Sequence, residues 1–328
     1  MANNRYIMVE EQAFATETFA AFAAAAAAHV IDQVSEDISE EHGFVYPVTS
    51  AKREARNRLL GPRVSGGEIA VPMYTRGTPT LLYYALGSVN TVQEAAGPPA
   101  NYEHTIRPAT TIPAFRMAIG KDLNEHQYVG CAVKSLKIDY TVGDPALATF
   151  DLLVRKELSP PQTLQTPTFP DYDVVERTFL GVEVTVEIDD VPQPGVIRSM
   201  SLEISNDLVE DNHAFGSRFL PDLRVQSLEV KGSFTLAYKT LADYQDILDE
   251  TEKKLRFLFA TGTLGMIGYR DVDIILDKLS FDTVKLPTDG NKEYVLEANF
   301  TAEVDPGASG FPITIIVHND ETNAEMAL

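Results

Sequence analysis

The sequence predicts a mostly β protein, with two tandem antiparallel β-sandwich or barrel units that each carry one packed helix, preceded by an N-terminal arm. Two observations lead to this prediction. Runs of β-branched, aromatic and aliphatic residues alternate with polar residues between Gly, Pro, Asp and Asn, which is typical of consecutive antiparallel strands. Segments of the same kind then return in the same order in the second half, which indicates an internal duplication.

The strand pattern is clearest in three runs of the first half, 112–120, 128–140 and 148–154, with a Gly143-Asp144-Pro145 turn before the last. These runs predict a meander of adjacent strands. In the second half, strict alternation predicts a strand over 181–190 and another over 291–304. Both of these strands place Glu or Asp on their polar face.

The duplication is most visible where Arg63-Val64-x-x-x-Glu68-Ile69 returns as Arg224-Val225-x-x-x-Glu229-Val230, an offset of 224 − 63 = 161 positions in a chain of 328 residues. In each half we expect a strand, a capped helix and a closing hairpin to follow. The predicted division is listed by segment: N-terminal arm or helical segment 1–60, first β unit 61–158, Pro-rich linker or loop 159–180, and second β unit 181–328.

Helices are predicted at three places. Thr78-Pro79 is a good N-cap and first helical residue for a short helix over 81–86. A longer helix is predicted to begin at Thr240. Its apolar face would comprise Leu241, Tyr244, Ile247, Leu248 and Leu255. Residues 10–40 are rich in Ala, Glu and Gln, and their high helix propensity predicts a third helix behind an extended arm over 1–9.

Composition restricts the classes of function. The 48 acidic and 27 basic side chains give a net charge of −21, so tight or sequence-reading nucleic-acid binding is not expected, because such binding needs Lys and Arg to neutralise phosphates. A wall that repels DNA suits its passage without adhesion, and suits an anionic membrane poorly. The apolar run over 19–28 is too short to span a bilayer and follows glutamates rather than basic residues. We therefore expect a cytoplasmically made, non-secreted protein.

No arrangement of residues predicts a catalytic, metal or cofactor site. Gly262, Gly265 and Gly268 have the wrong spacing and context for dinucleotide binding. The Asp271-x-Asp273-x-x-x-Asp277 run lacks the glycine that a calcium loop needs, and its alternation predicts a strand. The single cysteine, Cys131, lies in an apolar alternation, so a buried thiol is favoured over a nucleophile paired with His126 or His104.

Several motifs of the first half resemble the tail tube proteins, or major tail proteins, of long-tailed bacteriophages. They are Thr80 to Ser88, the Tyr102-x-His104-Thr105 motif, Ile112-Pro113-x-Phe115, Tyr128 to Leu136, and Phe150-Asp151-Leu152. With weaker similarity beyond residue 180, the resemblance covers most of residues 60–305.

The resemblance implies a non-enzymatic structural subunit of the virion, without cofactors, whose rings stack into a hollow conduit for genome delivery. Single-domain subunits of this family form hexameric rings, so a duplicated subunit is expected to close as a trimer with pseudo-sixfold symmetry. Expected partners are further copies of the chain, the tape measure, tail terminator and baseplate proteins, and DNA in non-specific transit. The family also favours an N-terminal arm that orders on assembly, in competition with the helix that propensity predicts.

Two groups of residues are predicted to act in such an assembly. The acidic side chains Glu183, Glu187 and Asp189 are expected to line the bore. The basic cluster is either a solvated surface or a patch that docks on the acidic face of a neighbouring subunit, and comprises Lys52, Arg53, Arg56, Arg58 and Arg63. The Pro-rich segment 159–170 or the N-terminal arm is expected to bridge stacked rings.

Three other interpretations remain open. A β-sandwich module that binds a ligand such as a carbohydrate would expose aromatic residues, and the absence of Trp counts mildly against it. A hydrolase built around Cys131 and His126 would lose activity on alkylation of the thiol. The tube protein of a contractile injection device is a close relative of the main prediction, and the sequence does not separate the two.

Overall fold

We analysed a computed structural model, and it describes most of the chain. The described residues are 6–19, 29–31, 34–45, 59–95, 101–164, 178–180, 184–193, 197–237, 252–260, 270–285, 295–319 and 321–322.

The described residues form eighteen strands and one helix, α1 Thr78–Leu86. The strands are β1 Tyr6–Glu11, β2 His29–Ile31, β3 Ser35–Glu36, β4 Ser39–Val45, β5 Leu59–Pro72, β6 Gly87–Ala95, β7 Asn101–Pro108, β8 Phe115–Lys121, β9 Asn124–Thr141, β10 Leu147–Thr163, β11 Val184–Ile188, β12 Val191–Pro192, β13 Ile197–Ser205, β14 Glu229–Ala237, β15 Lys253–Ala260, β16 Asp271–Lys285, β17 Val295–Glu303 and β18 Thr314–Asn319. The predicted meander of 112–154 is confirmed as β8, β9 and β10, which pair consecutively.

The strands are antiparallel throughout and form one connected sheet that folds into two layers. The first layer runs β4–β5–β10–β9–β13–β14–β17–β16. The short strand β3 pairs with the same edge of β5 as β4, at the next positions along it. The long strands β9 and β16 extend beyond this layer. There β9 continues into β8, β1 and β2, while β16 pairs with β15 and β18, which lead to β11 and β12 and to β7 and β6.

One main hydrophobic core lies between the two layers and includes residues of both halves. The rings of Tyr140 on β9 and Phe259 on β15 pack edge to face with their centres 6.0 Å apart. The centre of the Phe179 ring lies 5.8 Å from that of Phe259. Because the core is continuous, the two halves are not separate globules. The predicted division into tandem units stays a prediction.

The helix α1 is buried along nearly its whole length and confirms the helix predicted at Thr78. Its N-cap is Gly77 rather than Thr78, whose hydroxyl donates to the Pro72 carbonyl and accepts from the Tyr74 amide. At the other end Gly87 adopts a left-handed conformation with φ 101°, and a Cβ there would lie 2.6 Å from the Thr111 carbonyl oxygen. Glycine is therefore the residue that allows β6 to start directly after the helix.

The helix predicted over 10–40 is wrong for the residues that the structure describes. They include the end of β1, the turn and irregular backbone over 12–19, the strands β2 and β3, and the start of β4, and the alanine run over 20–28 lies outside the described residues. Pairing explains the difference: β1 is hydrogen bonded to β8 on one edge and to β2 on the other. Tertiary pairing of this kind overrides helix propensity, which is a small term per residue.

Two further predictions need correction. Leu255 belongs to β15 rather than to a helix, because Leu255, Phe257 and Phe259 are buried at every second position. The rest of that predicted helix, 240–251, lies outside the described residues. The predicted linker 159–180 begins as a strand, since β10 continues through Thr163 as an exposed extension paired with β9.

Both halves pair their strands in the same order. The first half runs β5–β10–β9–β8 and the second runs β14–β17–β16–β15. The registers agree as well: Ala70 lies opposite Thr149, which lies opposite Lys137. In the second half Lys231, 161 positions after Ala70, lies opposite Thr301, which lies opposite Ser280. The pairing supports the predicted duplication.

Candidate assembly surfaces

A polar face covers one side of the first layer, on the side opposite the core. We call it the open face. It consists of alternate residues, exposed or half-buried, on six strands from β10 to β16. They are Thr149, Asp151, Ser135, Lys137, Asp139, Ser199, Ser201, Glu203, Ser205, Glu229, Lys231, Ser233, Thr235, Glu297, Asn299, Thr301, Glu303, Lys278, Ser280 and Asp282.

Cross-strand registry aligns these residues in rows that cross from the first half to the second. Lys137 on β9 lies opposite Thr149 on one neighbour and Glu203 on the other. Glu203 on β13 lies opposite Lys231, which lies opposite Thr301. Residues directly opposite each other project from the same face of a sheet. The row is therefore one continuous polar surface and not two separate ones.

The charged groups of the open face are mostly carboxylates, set among small hydroxyl side chains. Lysines contact some of them: Lys137 Nζ lies 2.8 Å from Asp139, and Lys231 Nζ lies 2.6 Å from Glu229. These pairs are about half exposed, so they add little to stability. The described carboxylates of the face are Asp139, Asp151, Glu203, Glu229, Asp282, Glu297 and Glu303, and its lysines are Lys137, Lys231 and Lys278.

Two edges of the first layer are unpaired among the described residues. One is the outer edge of β16 from Ser280 to Lys285, and the other is formed by the outer edges of β3, with the preceding Val34, and of β4. Unpaired edges are templates for pairing with another chain. Val34, directly before β3, is 61% exposed.

Each free edge has an equivalent in the middle of the layer, where the corresponding edge is hydrogen bonded to a neighbouring strand. There β13 is hydrogen bonded on one edge to β14 and on the other to β9. Glu203 of β13 lies opposite Lys231, and Ser35 of β3 lies opposite the equivalent Ala70. By the same registry Val34 is equivalent to Leu202. Leu202 is fully buried beside Ile138 of β9, whereas Val34 is exposed.

The structure describes two of the three predicted bore residues, and Glu183 lies outside the described part. Glu187 on β11 pairs with Arg256 at 3.1 Å, and Arg256 also pairs with Asp273. Asp189 lies in the following turn, accepts from Lys253 Nζ at 2.8 Å and from the Lys254 amide, and has a lowered pKa that these partners explain despite its partial burial. That these residues line a bore stays a prediction.

Glu187 and the open face lie on opposite sides of the core. Phe257 and Phe259 of β15 point into the core that they share with Tyr140 of β9. The alternate residue Arg256, with its partner Glu187, therefore points away from β9. A closed ring could turn only one of these two surfaces to its bore.

Of the predicted basic cluster, only Arg63 is described, and 51–58 lie outside the described residues. Arg63 lies on β5, where its guanidinium pairs with Glu40 at 2.8 Å and lies 5.9 Å from the centre of the Phe219 ring. Its backbone amide donates to the Arg218 carbonyl. These contacts engage Arg63 within its own chain.

The residues considered for cysteine chemistry have other roles. Cys131 is fully buried, and burial raises the pKa of its thiol. His126 lies 2.7 Å from Glu157, while buried His104 contacts Thr91 and Asn319 at 2.8 Å each. The Asp271 to Asp277 run is confirmed as a strand, within β16. The glycines over 262–268 are outside the described part.

Sequence reasoning did not assemble the open face, although part of its signal was visible. The alternation of β17 marked Glu297 and Glu303 as polar-facing. What the pattern did not provide was the registry that joins β17 to β14, β13 and β9. Serine-rich β13 alternates equally regularly between buried and polar positions.

Comparison with known proteins identifies the family. The family model described as "Phage tail tube protein" matches residues 11–304. No curated protein matches the sequence. Among the described residues, no helix has the length and apolar character to span a membrane. Since the match covers most of the chain and the fold is the expected antiparallel β architecture, we conclude that this chain belongs to the phage tail tube protein family.

Proposed function

We propose that this virion tail component closes with two further copies into a ring, and that such rings stack into a tube through which the genome passes. The observation that supports ring closure best is the pair of free edges described above. Each has an equivalent that is already paired inside the chain. The sheet of one chain therefore stops at an edge with which the sheet of a second copy can pair.

The internal junction predicts which residues meet between chains. Inside the chain, Glu203 of β13 lies opposite Lys137 of β9. Ser35 is the equivalent of Glu203, and Ser280 is the equivalent of Lys137. We therefore expect Ser35 of one chain to lie opposite Ser280 of the next. Val34 would then contact the half-buried Phe281, as Leu202 contacts Ile138, and its exposure in the single chain is explained.

Two such repeats in each chain make a ring of three chains pseudo-sixfold. Rings of three rather than six chains would be seen directly by negative-stain electron microscopy of concentrated protein, with the symmetry taken from class averages. Monodisperse monomers under all conditions would count against self-assembly. Tape measure, terminator and baseplate proteins are the expected partners at the ends of the tube.

Cross-linking tests the edges. In the Ser35→Cys/Ser280→Cys variant, a short bifunctional thiol reagent is expected to give covalent dimers and trimers. The matched control is Glu203→Cys/Lys137→Cys, which should cross-link within one chain and leave its mass on denaturing gels monomeric. Cys131 is buried and common to both variants. The proposed edge would be contradicted if the control alone gave covalent oligomers. It would also be contradicted if neither variant gave them in assembled tubes.

We further propose that the open face lines the bore. It crosses both halves, is covered by no described residue, and is rich in carboxylates and hydroxyl groups that do not bind phosphate strongly. Glu183, Glu187 and Asp189 are the competing prediction, and a single experiment separates the two.

The experiment labels single added cysteines in assembled tubes with a maleimide on a bulky polymer. Asn299→Cys reports the open face, and Asp190→Cys reports the neighbourhood of Glu187 and Asp189. Both positions are exposed in the single chain. If the open face lines the bore, tube formation should protect position 299 and leave position 190 reactive. Protection of position 190 alone would favour the competing prediction.

The predicted inter-chain roles of the basic cluster 52–63 and of the segments expected to bridge rings stay predictions. Tube length and stability after removal of 159–170, compared with removal of the N-terminal arm, would test the bridging role.

A further inference from the structure

A histidine and two glutamates converge on three adjacent strands of the second layer, on the side of the core away from the open face. Glu94 lies on β6, Glu103 on β7 and His318 on β18. Glu103 lies directly opposite His318. Glu94 lies at an irregularity in the pairing of β6 with β7, between Gln93 and Ala95. A bulge of this kind changes the direction of a side chain. Here it turns the Glu94 carboxylate towards Glu103 and His318.

The separations between the three ligand atoms are those of a coordination site. His318 Nε2 lies 3.6 Å from Glu103 Oε2 and 3.8 Å from Glu94 Oε1, and the three atoms all lie within 4.8 Å of one another. Hydrogen bonds between such groups are shorter, at about 2.7–2.9 Å. Ligands about 2.1 Å from a tetrahedral zinc ion lie about 3.4 Å apart, which is close to the histidine–carboxylate distances.

Each of the three side chains is oriented by a residue outside the triad. Asp271 on β16 lies 2.6 Å from His318 Nδ1, and in the neutral imidazole this contact places the proton on Nδ1 and the lone pair on Nε2. Asn101 Nδ2 donates to Glu94 Oε2 at 3.0 Å. Thr105 Oγ1 donates to Glu103 Oε1 at 3.1 Å. In each case this contact is made by the atom that does not take part in the triad. The atoms that face one another in the triad are His318 Nε2, Glu94 Oε1 and Glu103 Oε2. The carboxylate–histidine pair is the usual outer support of a histidine metal ligand.

The simplest alternative is an ion cluster in which a protonated His318 offsets the carboxylates. Three carboxylates around one imidazolium would leave an excess of negative charge. The Nε2–oxygen distances also exceed those of charge-assisted hydrogen bonds. A divalent cation beside a neutral His318 would lower the excess from two negative charges to one, and it suits the spacing.

We propose that Glu94, Glu103 and His318 bind a divalent metal ion of the zinc class, which clamps the β6–β7 hairpin to β18. One imidazole and two carboxylates form a ligand set that suits Zn²⁺ or Mn²⁺ better than Ca²⁺ or Mg²⁺. The role is structural, because β18 pairs with β7 of the first half on one edge and with β16 of the second half on the other. The proposal does not depend on ring formation, and its test uses the unassembled chain.

The test is isothermal titration of the chelator-treated full chain, without a histidine tag, with Zn²⁺. We expect one saturable ion per chain, at least tenfold weaker binding in Glu103→Gln and His318→Gln, and a metal-dependent rise in Tm that both variants lose. His42→Gln is the matched control, since His42 lies 4.0 Å from Glu40 in a histidine–glutamate pair outside the triad. It should bind Zn²⁺ like the parent.

Circular dichroism of the metal-free proteins establishes that each variant is folded. If His318→Gln is not folded, the exposed Glu94→Gln provides the same test without disturbing the Asp271 contact. Absence of saturable Zn²⁺ binding to the parent chain would overturn the proposal. Equal binding by the parent and the triad variants would place the ion elsewhere and overturn it as well. Binding without any rise in Tm would overturn the clamp.

Discussion

The two halves of the molecule pair four strands in the same order, and each set of four adjoins one further strand, β13 in the second half and β3 in the first. Among the described residues, only β13 is paired on both of its edges. In the second half β13 is bonded on both edges, to β14 and to β9. In the first half the equivalent β3 is bonded only to β5 among the described residues. This difference is the basis of the proposal that the junction inside one chain is a template for a junction between chains. The buried Leu202 and the exposed Val34 are its clearest markers.

A second comparison concerns the core beneath these strands. Gly232 of β14 lies opposite Phe300 of β17, and the equivalent pair in the first half is Val71 opposite Ala148. A Cβ at Gly232 would lie 2.3 Å from the Phe300 ring and 2.8 Å from the Ser201 carbonyl oxygen. The two halves therefore fill equivalent sites with the large residue on opposite strands. Close packing requires that the volumes on the two strands compensate.

The largest predicted effect comes from breaking this compensation. Phe300→Ala should destabilise the chain by about 3–5 kcal/mol through a cavity, and Gly232→Val by about 1–3 kcal/mol or more through overpacking. The double variant copies the first half and removes the ring that the new side chain would contact, while the close approach to the Ser201 carbonyl oxygen remains. Its cost should therefore be smaller than the sum by about 1–3 kcal/mol. Urea unfolding of the four proteins measures this coupling. Strict additivity would show that the two sites are not equivalent.

A smaller effect is expected where the two edge strands are compared. Leu202→Ala should cost about 2–5 kcal/mol in the single chain, because its side chain is fully buried. Val34→Ala should change the unfolding free energy of the monomer by less than about 0.5 kcal/mol. It should nevertheless weaken tube formation, as measured by sedimentation of assembled protein. An assembly unaffected by Val34→Asp would refute the role assigned to this edge.

The smallest effect is predicted at Cys131. Burial raises the pKa of its thiol, so the folded chain should remain unlabelled by iodoacetamide at neutral pH. Alkylation should become complete in denaturant, with one label per chain. Mass spectrometry of both samples provides the measurement and its control. Rapid labelling of the folded chain would reopen the cysteine hydrolase interpretation.

Much of the fold could be predicted from local pattern. The alternation of β9, β10 and β17 and the Thr78-Pro79 helix start were sufficient to place these elements. The N-terminal segment was predicted wrongly where strand pairing of β1 with β8 overrides the local preference. The metal-ligating candidates could not be predicted, since Glu94 and Glu103 are more than two hundred residues from His318 in the chain.

The sequence alone determined the β class, the acidic charge, the repeated segments and the resemblance to tail tube proteins. These properties depend on composition and on patterns shorter than one strand and its turn. Only the tertiary structure decided which strands are neighbours, and with it the open face, the free edges and the triad around His318. Registry depends on contacts between residues far apart in the chain, and a shift of one residue would move every side chain to the other face.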